Sequence, residues 1–150
     1  MDKNKLLIDL SESANTDFGR IDFPAQSDAQ RVFSAIWELE GQVNNGGFDQ
    51  YFRNCETDII LHAPTALKSI GATTCSTIVE TAISLLSPFP PDRDAREDAL
   101  DDAGDDLDDQ LNTLDSQFFA YPDDITDLLF AFVANHAGEF GELPDTAIGG

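Results

Sequence analysis

SDAQRVFSAIWELEGQVNNGGFDQYFRN, residues 27–54, decides the fold class. Ser27 followed three residues later by Gln30 is a capping-box pattern, in which each side chain accepts the other's backbone N–H at a helix start. Behind it Val32, Phe33, Ile36, Leu39 and Val43 recur at helical spacing, which predicts a helix over 28–43 with one apolar face. Asn44-Asn45-Gly46-Gly47 reads as its stop, because glycine supplies the positive φ that a helix end needs. Phe48, Tyr51 and Phe52 then fall on one side of a short amphipathic turn aimed at the core. The glycines lack the spacing and the following Lys of a phosphate loop.

Outward from this stretch the same period returns. Ile59–Ile70 is helical in pattern, broken or started near Pro64, and Gly71 is a C-terminal stop. Thr73 or Thr74 caps a helix running to about Leu86, with Ile78, Ala82, Leu85 and Leu86 inward. Pro88, Pro90 and Pro91 form a rigid connector. A helix from about Asp92 to Phe118 follows, with Gly104 as a weak point, and Pro122 ends the segment. Asp123 and Asp124 begin a last apolar helix to about Ala137 through Leu128, Leu129, Phe132 and Val133. No strand pattern and no internal repeat stand out. The expectation is an all-α chain, a single compact helical domain of about five to seven helices. A poorly defined N-terminal segment (1–26) precedes the domain (27–137), and a loose tail (138–150) follows it. Leu6, Leu7, Ile8 and Leu10 could start a short helix in the first segment.

Asp92 to Asp109 holds ten acidic side chains against Arg93 and Arg96, and no Lys or Arg occurs from Glu97 to Gly150. On a helical wheel, Asp94, Asp98, Asp101, Asp102, Asp105, Asp108 and Asp109 fall within an arc of about 120°. Leu100, Ala103, Leu107, Leu111, Leu114 and Phe118 lie opposite. From Asp94 to Asp109 a continuous helix would rise roughly 22 Å, about one front-face acid per 3 Å. A DNA strand carries one phosphate per roughly 3.4 Å. The two linear charge densities agree, so this face reads as a phosphate-backbone surrogate built from those seven carboxylates and Asp106, with Asp115, Asp123 and Asp124 able to extend the field.

The whole chain, 150 residues with net charge −21, repels DNA, RNA and anionic membranes, so its expected partners are basic. An apolar fraction of 41% with 11 Phe argues against global disorder. Cys55 and Cys75 form no metal or redox motif and read as reduced, partly buried thiols. His62 and His136 have no partner at metal or catalytic spacing. A calcium loop starting at Asp101 fails at Ala103 and lacks a glycine at its sixth position. No cofactor, no metal site and no catalytic residue are expected. Asp2 and Asp9 flank only a short apolar stretch, so no signal peptide is read there, and no apolar run approaches a membrane span. A cytoplasmic location is the expectation.

Trp37-Glu38-Leu39-Glu40-Gly41-Gln42-Val43-Asn44-Asn45-Gly46-Gly47-Phe48-Asp49-Gln50-Tyr51-Phe52-Arg53-Asn54 resembles a helical family catalogued as a domain of unknown function, which includes a bacterial DNA-mimic protein. Ala66-Leu67-Lys68-Ser69-Ile70-Gly71-Ala72 and the Phe89-Pro90 step resemble it too, so the likeness spans roughly residues 30–135. The resemblance implies an all-helical fold. For the DNA-mimic member it also implies a dimer that covers the DNA-binding surface of a helix-turn-helix transcription factor. The matched motif contains none of the acidic stripe.

Three readings of the acid compete. Asp is a mediocre helix former, and like charges at i,i+4, such as Asp94 with Asp98, Asp98 with Asp102 and Asp105 with Asp109, are mildly destabilising. A face that accepts this penalty suggests phosphate mimicry. Adaptation to high salt also suits 21 Asp with 3 Lys, but it would spread the acid over every surface. An ordinary solvated face is the third reading. The sequence supports an acidic DNA mimic that competes with DNA for a basic DNA-binding protein (a transcription factor or nucleoid-type protein) and could dimerise. The alternative is an immunity or antitoxin-type inhibitor of a basic toxin or nuclease. Trp37, Phe33 and Leu39 are expected in the core. Phe118, Phe119 and Tyr121 exceed what one face buries, and pack under the last helix or form a dimer contact.

Overall fold

A computed structural model describes residues 25–136. The expectations for residues 1–24 and 137–150 lie outside them. The described residues form six α-helices and no strand: α1 Asp28–Asn54, α2 Thr57–Ser69, α3 Thr73–Ser84, α4 Arg93–Asp102, α5 Asp105–Phe119 and α6 Ile125–Asn135. The fold is a compact all-α domain.

α1 is the spine. Its capping box forms as the sequence predicts: the Gln30 N–H donates to Ser27 Oγ, and the Ser27 N–H donates to Gln30 Oε1. Val32, Phe33, Ile36, Leu39 and Val43 are buried. The expected stop at Asn44–Gly47 is instead a kink. Gly46 leaves the helical region (φ −153°, ψ 15°), Gly47 takes φ +77°, and helical backbone resumes to Asn54. Phe48, Tyr51 and Phe52 are therefore two further turns of α1, all fully buried. Trp37 is only half-buried, stacked on Phe33 at 5.7 Å between ring centroids.

α2 packs along α1, and α3 packs on α2. α2 runs unbroken through Pro64, because Ile60, Ala63, Ala66 and Leu67 bury the face on which the proline sits. The Pro64 carbonyl accepts a hydrogen bond from Ser76 Oγ at 2.8 Å. Neither Thr73 nor Thr74 caps α3; its Cys75 N–H donates to the Asp123 carboxylate at 2.8 Å, from 48 residues away.

The predicted acidic helix 92–118 is two helices. Gly104 adopts φ +75°, ends the run through α4 and forms the N-cap position of α5. Leu100, Leu107, Leu111, Leu114 and Phe118 are nevertheless buried, and α4 and α5 both pack against α1. Ala103, expected inward, is exposed at the break.

Candidate partner-binding face

The outer face of α4 and α5 carries the acid. Asp92 caps α4 by accepting the Ala95 N–H at 2.8 Å. From there Asp94, Asp98, Asp101 and Asp102 lie on α4, and Asp105, Asp106, Asp108 and Asp109 lie on the first turns of α5. All eight are exposed to water. The inward side chains that aim them outward are Leu100 on α4 and Leu107, Leu111 and Leu114 on α5.

The break at Gly104 changes the electrostatics of the row. In one long helix Asp105, Asp106 and Asp108 would sit mid-helix. Here they occupy the first turn of α5, where the exposed N–H groups and the helix dipole favour negative charge. The i,i+4 pairs Asp94/Asp98, Asp98/Asp102 and Asp105/Asp109 survive, since each lies within one helix. The single straight row becomes two blocks of four carboxylates, each on its own helix.

One of the eight is already paired. Asp101 Oδ1 lies 2.9 Å from a terminal nitrogen of Arg53, which stands in the last turn of α1. Among the described residues no Lys or Arg pairs with the other seven.

Two residues expected to extend the field point elsewhere. Asp115 is half-buried and accepts the Phe48 N–H at 2.8 Å. Burial holds its carboxyl above the usual range. Asp123 caps α3, as described above. Asp124 stays exposed and accepts the Asp127 N–H at 3.1 Å, capping α6.

A residue that the sequence reading passed over holds the face in place. Arg96, on the inner side of α4, is 0% exposed. Its Nε donates to the Phe52 carbonyl at 2.8 Å, and its terminal nitrogens donate to the Cys55 carbonyl and to Thr57 Oγ1. The guanidinium lies 5.6 Å from the Phe89 ring centroid. It thus satisfies carbonyls left over at the C-terminus of α1, the end where a helix attracts positive charge. The available signal was register: Arg96 stands four residues before Leu100, on the apolar arc.

Among the described residues Glu40 is an electrostatic candidate for acid–base chemistry. Burial, and secondarily the charge of Asp124, push the Glu40 carboxyl up to about 7. Glu40 lines neither the groove between α3 and the α5–α6 turn nor the one beside the proline connector. The buried thiols are pushed up, chiefly by desolvation, to about 12 at Cys55 and about 11 at Cys75, which disfavours the reactive thiolate. Among the described residues no group of three His, Cys, Asp or Glu side chains is arranged to hold a metal ion. Nor is any helix there long and apolar enough to cross a membrane.

Phe118 is buried, whereas Phe119 and Tyr121 are 45% and 49% exposed. Tyr121 takes φ +49° and its hydroxyl accepts from Asn44 Nδ2 at 3.2 Å.

No curated protein and no solved structure matches the chain. A family model described as DMP19-like protein matches residues 25–136, the same span that forms the six helices. With that match over most of its length, the chain belongs to the DMP19-like protein family, the family of a DNA-mimic protein.

Proposed function

We propose that this domain is a non-enzymatic DNA mimic that binds the DNA-binding surface of a basic protein and competes there with duplex DNA. The observation that carries the reading is the outer face of α4 and α5. Eight aspartates within sixteen residues stand exposed on two helices whose inner faces are fixed to α1. Seven of them have no cationic partner among the described residues, so they are available to Lys and Arg side chains of another protein. Family membership supports the same reading.

The mechanism is competitive. Each carboxylate takes the place of a phosphate oxygen for a partner cation, and rigid helices present the carboxylates at low ordering cost. Binding then weakens steeply with salt, as counter-ions condensed on the two surfaces must be released. The partner class is a helix-turn-helix transcription factor or nucleoid-type protein in the cytoplasm. A homodimer belongs to the proposal, with exposed Phe119 and Tyr121 as the contact to test by light scattering of Phe119→Ser and Tyr121→Ser.

The test is capture from lysate at low salt followed by elution in a salt gradient. Recovery of one DNA-binding protein that added duplex displaces supports the reading. Capture of a toxin or nuclease that duplex leaves in place supports the inhibitor alternative and removes DNA mimicry.

A further inference from the structure

Arg53 is a cation seated beneath the acidic face. Its guanidinium reaches carboxylates on two helices: Nε lies 2.9 Å from Asp49 Oδ2, one terminal nitrogen 2.9 Å from Asp101 Oδ1, and the other 3.8 Å from Glu97 Oε1. The Arg53 side chain is 28% exposed, whereas Asp101 is 60% exposed, so the cation approaches from below and leaves Asp101 open to water. Glu97 and Asp101 are four residues apart on α4. Asp94/Asp98, Asp98/Asp102 and Asp105/Asp109 repeat that spacing without a cation among the described residues.

We propose that Arg53 is a resident counter-cation that limits the strength of the acidic face: it holds Glu97 and Asp101 as a partner's arginine would hold the neighbouring pairs, so a docking partner competes with it. The proposal rests on the phosphate-surrogate reading of that face. A guanidinium suits the role because its planar fork engages several carboxylates at once, where an ammonium engages them as a point charge. Partly exposed ion pairs of this kind are weak, so a partner's arginine is able to displace Arg53 from Asp101. While Arg53 stays, fewer counter-ions are condensed there for a partner to release, and both affinity and salt dependence are lower than the bare acid count gives.

The test titrates the full chain into a fluorescently labelled peptide of eight arginines at low salt. The variants are R53M, D101N and R53M/D101N, with D105N/D108N reporting on the rest of the face. R53M is expected to bind the peptide about three- to tenfold tighter, with a steeper fall of affinity against salt. D101N is expected to cost less than about twofold alone and about three- to tenfold in the R53M background, because only there is Asp101 free. Equal costs in both backgrounds overturn the resident cation, and weakened binding by D105N/D108N in the same experiment leaves the face reading standing. An affinity indifferent to D105N/D108N overturns both. Arg53 also ties α1 to α4, so R53K is run beside R53M with helix content checked by circular dichroism. R53K keeps the charge, loses the fork and is expected between wild type and R53M; binding no tighter than wild type counts against the proposal.

Discussion

The Phe48 N–H donates to Asp115 Oδ1 at 2.8 Å, across 67 residues of chain. This bond explains why the Asn-Asn-Gly-Gly-Phe motif bends α1 without ending it. The kink at Gly46-Gly47 frees N–H groups as a helix start does, and Asp115 from α5 caps one of them. Gly47 is required by its φ of +77°, and a Cβ there would also crowd the capping carboxylate, standing 2.9 Å from Asp115 Cγ. The motif therefore joins the spine to the second acidic helix.

Asp115→Ala leaves the Phe48 N–H without its acceptor and is expected to cost about 1–3 kcal/mol in urea unfolding. Asp115→Asn keeps an acceptor oxygen and is expected to cost less than half of that. Gly47→Ala combines strain with the clash and is expected to cost at least as much as Asp115→Ala. Equal stability of all three with wild type would remove the capping role.

Arg96→Met is expected to destabilise the domain by about 3 kcal/mol or more, because the Phe52 and Cys55 carbonyls lose their donor inside the core. Arg96→Lys is expected to recover only part of this, since one ammonium cannot reach three acceptors in the plane of a guanidinium. Arg53→Met, a partly exposed pair, is expected to cost less than about 1 kcal/mol. Denaturant midpoints at one pH check the ranking, and similar losses at Arg53 and Arg96 would contradict it.

Glu40 gives a pH dependence of definite sign. Its carboxyl is raised from an ordinary 4.5 to about 7, so the folded chain holds the proton more tightly than the unfolded one. Its contribution to stability is present below about pH 4.5 and is lost as pH rises through about 7. Asp124, facing it from the start of α6, adds to the rise. Glu40→Gln is expected to be more stable than wild type at pH 8 and to flatten the stability curve between pH 5 and 7. Parallel curves for the two chains would contradict the assignment.

Gly104→Ala meets no atom within 4 Å but must adopt φ +75°, which is expected to cost about 1 kcal/mol while leaving both helices formed. A gain in stability would mean that α4 and α5 fuse into one helix in solution. Thermal unfolding with circular dichroism reads both outcomes.

Local signals were legible where the partner of each group is near in sequence. Ser27 with Gln30 fixes the start of α1, Asp92 that of α4, and Leu100, Leu107, Leu111, Leu114 and Phe118 the inner side of the acidic helices. The misread ends all depend on distant partners or on register. Asn44–Gly47 resembles a stop until Asp115 supplies the cap from α5, and Thr73 resembles a cap until Asp123 takes that place. Gly104 interrupts the backbone but not the apolar spacing, so the wheel shows one helix where there are two. Of the predicted face, all eight aspartates are exposed, but the sequence gives no sign that Asp101 meets Arg53, 48 positions earlier in chain order. Arg96 was hidden by its charge, although its register places it among the leucines.

The most direct measurement of phosphate mimicry is displacement of a labelled duplex from a captured DNA-binding protein, titrated with the wild-type chain and with D98N/D105N/D108N at two salt concentrations. Under phosphate mimicry the wild type releases the duplex, its apparent affinity falls steeply with salt, and the variant, folded as before, binds about tenfold or more weakly. Displacement equally strong with the variant, or duplex and chain bound together on the same protein, would contradict it.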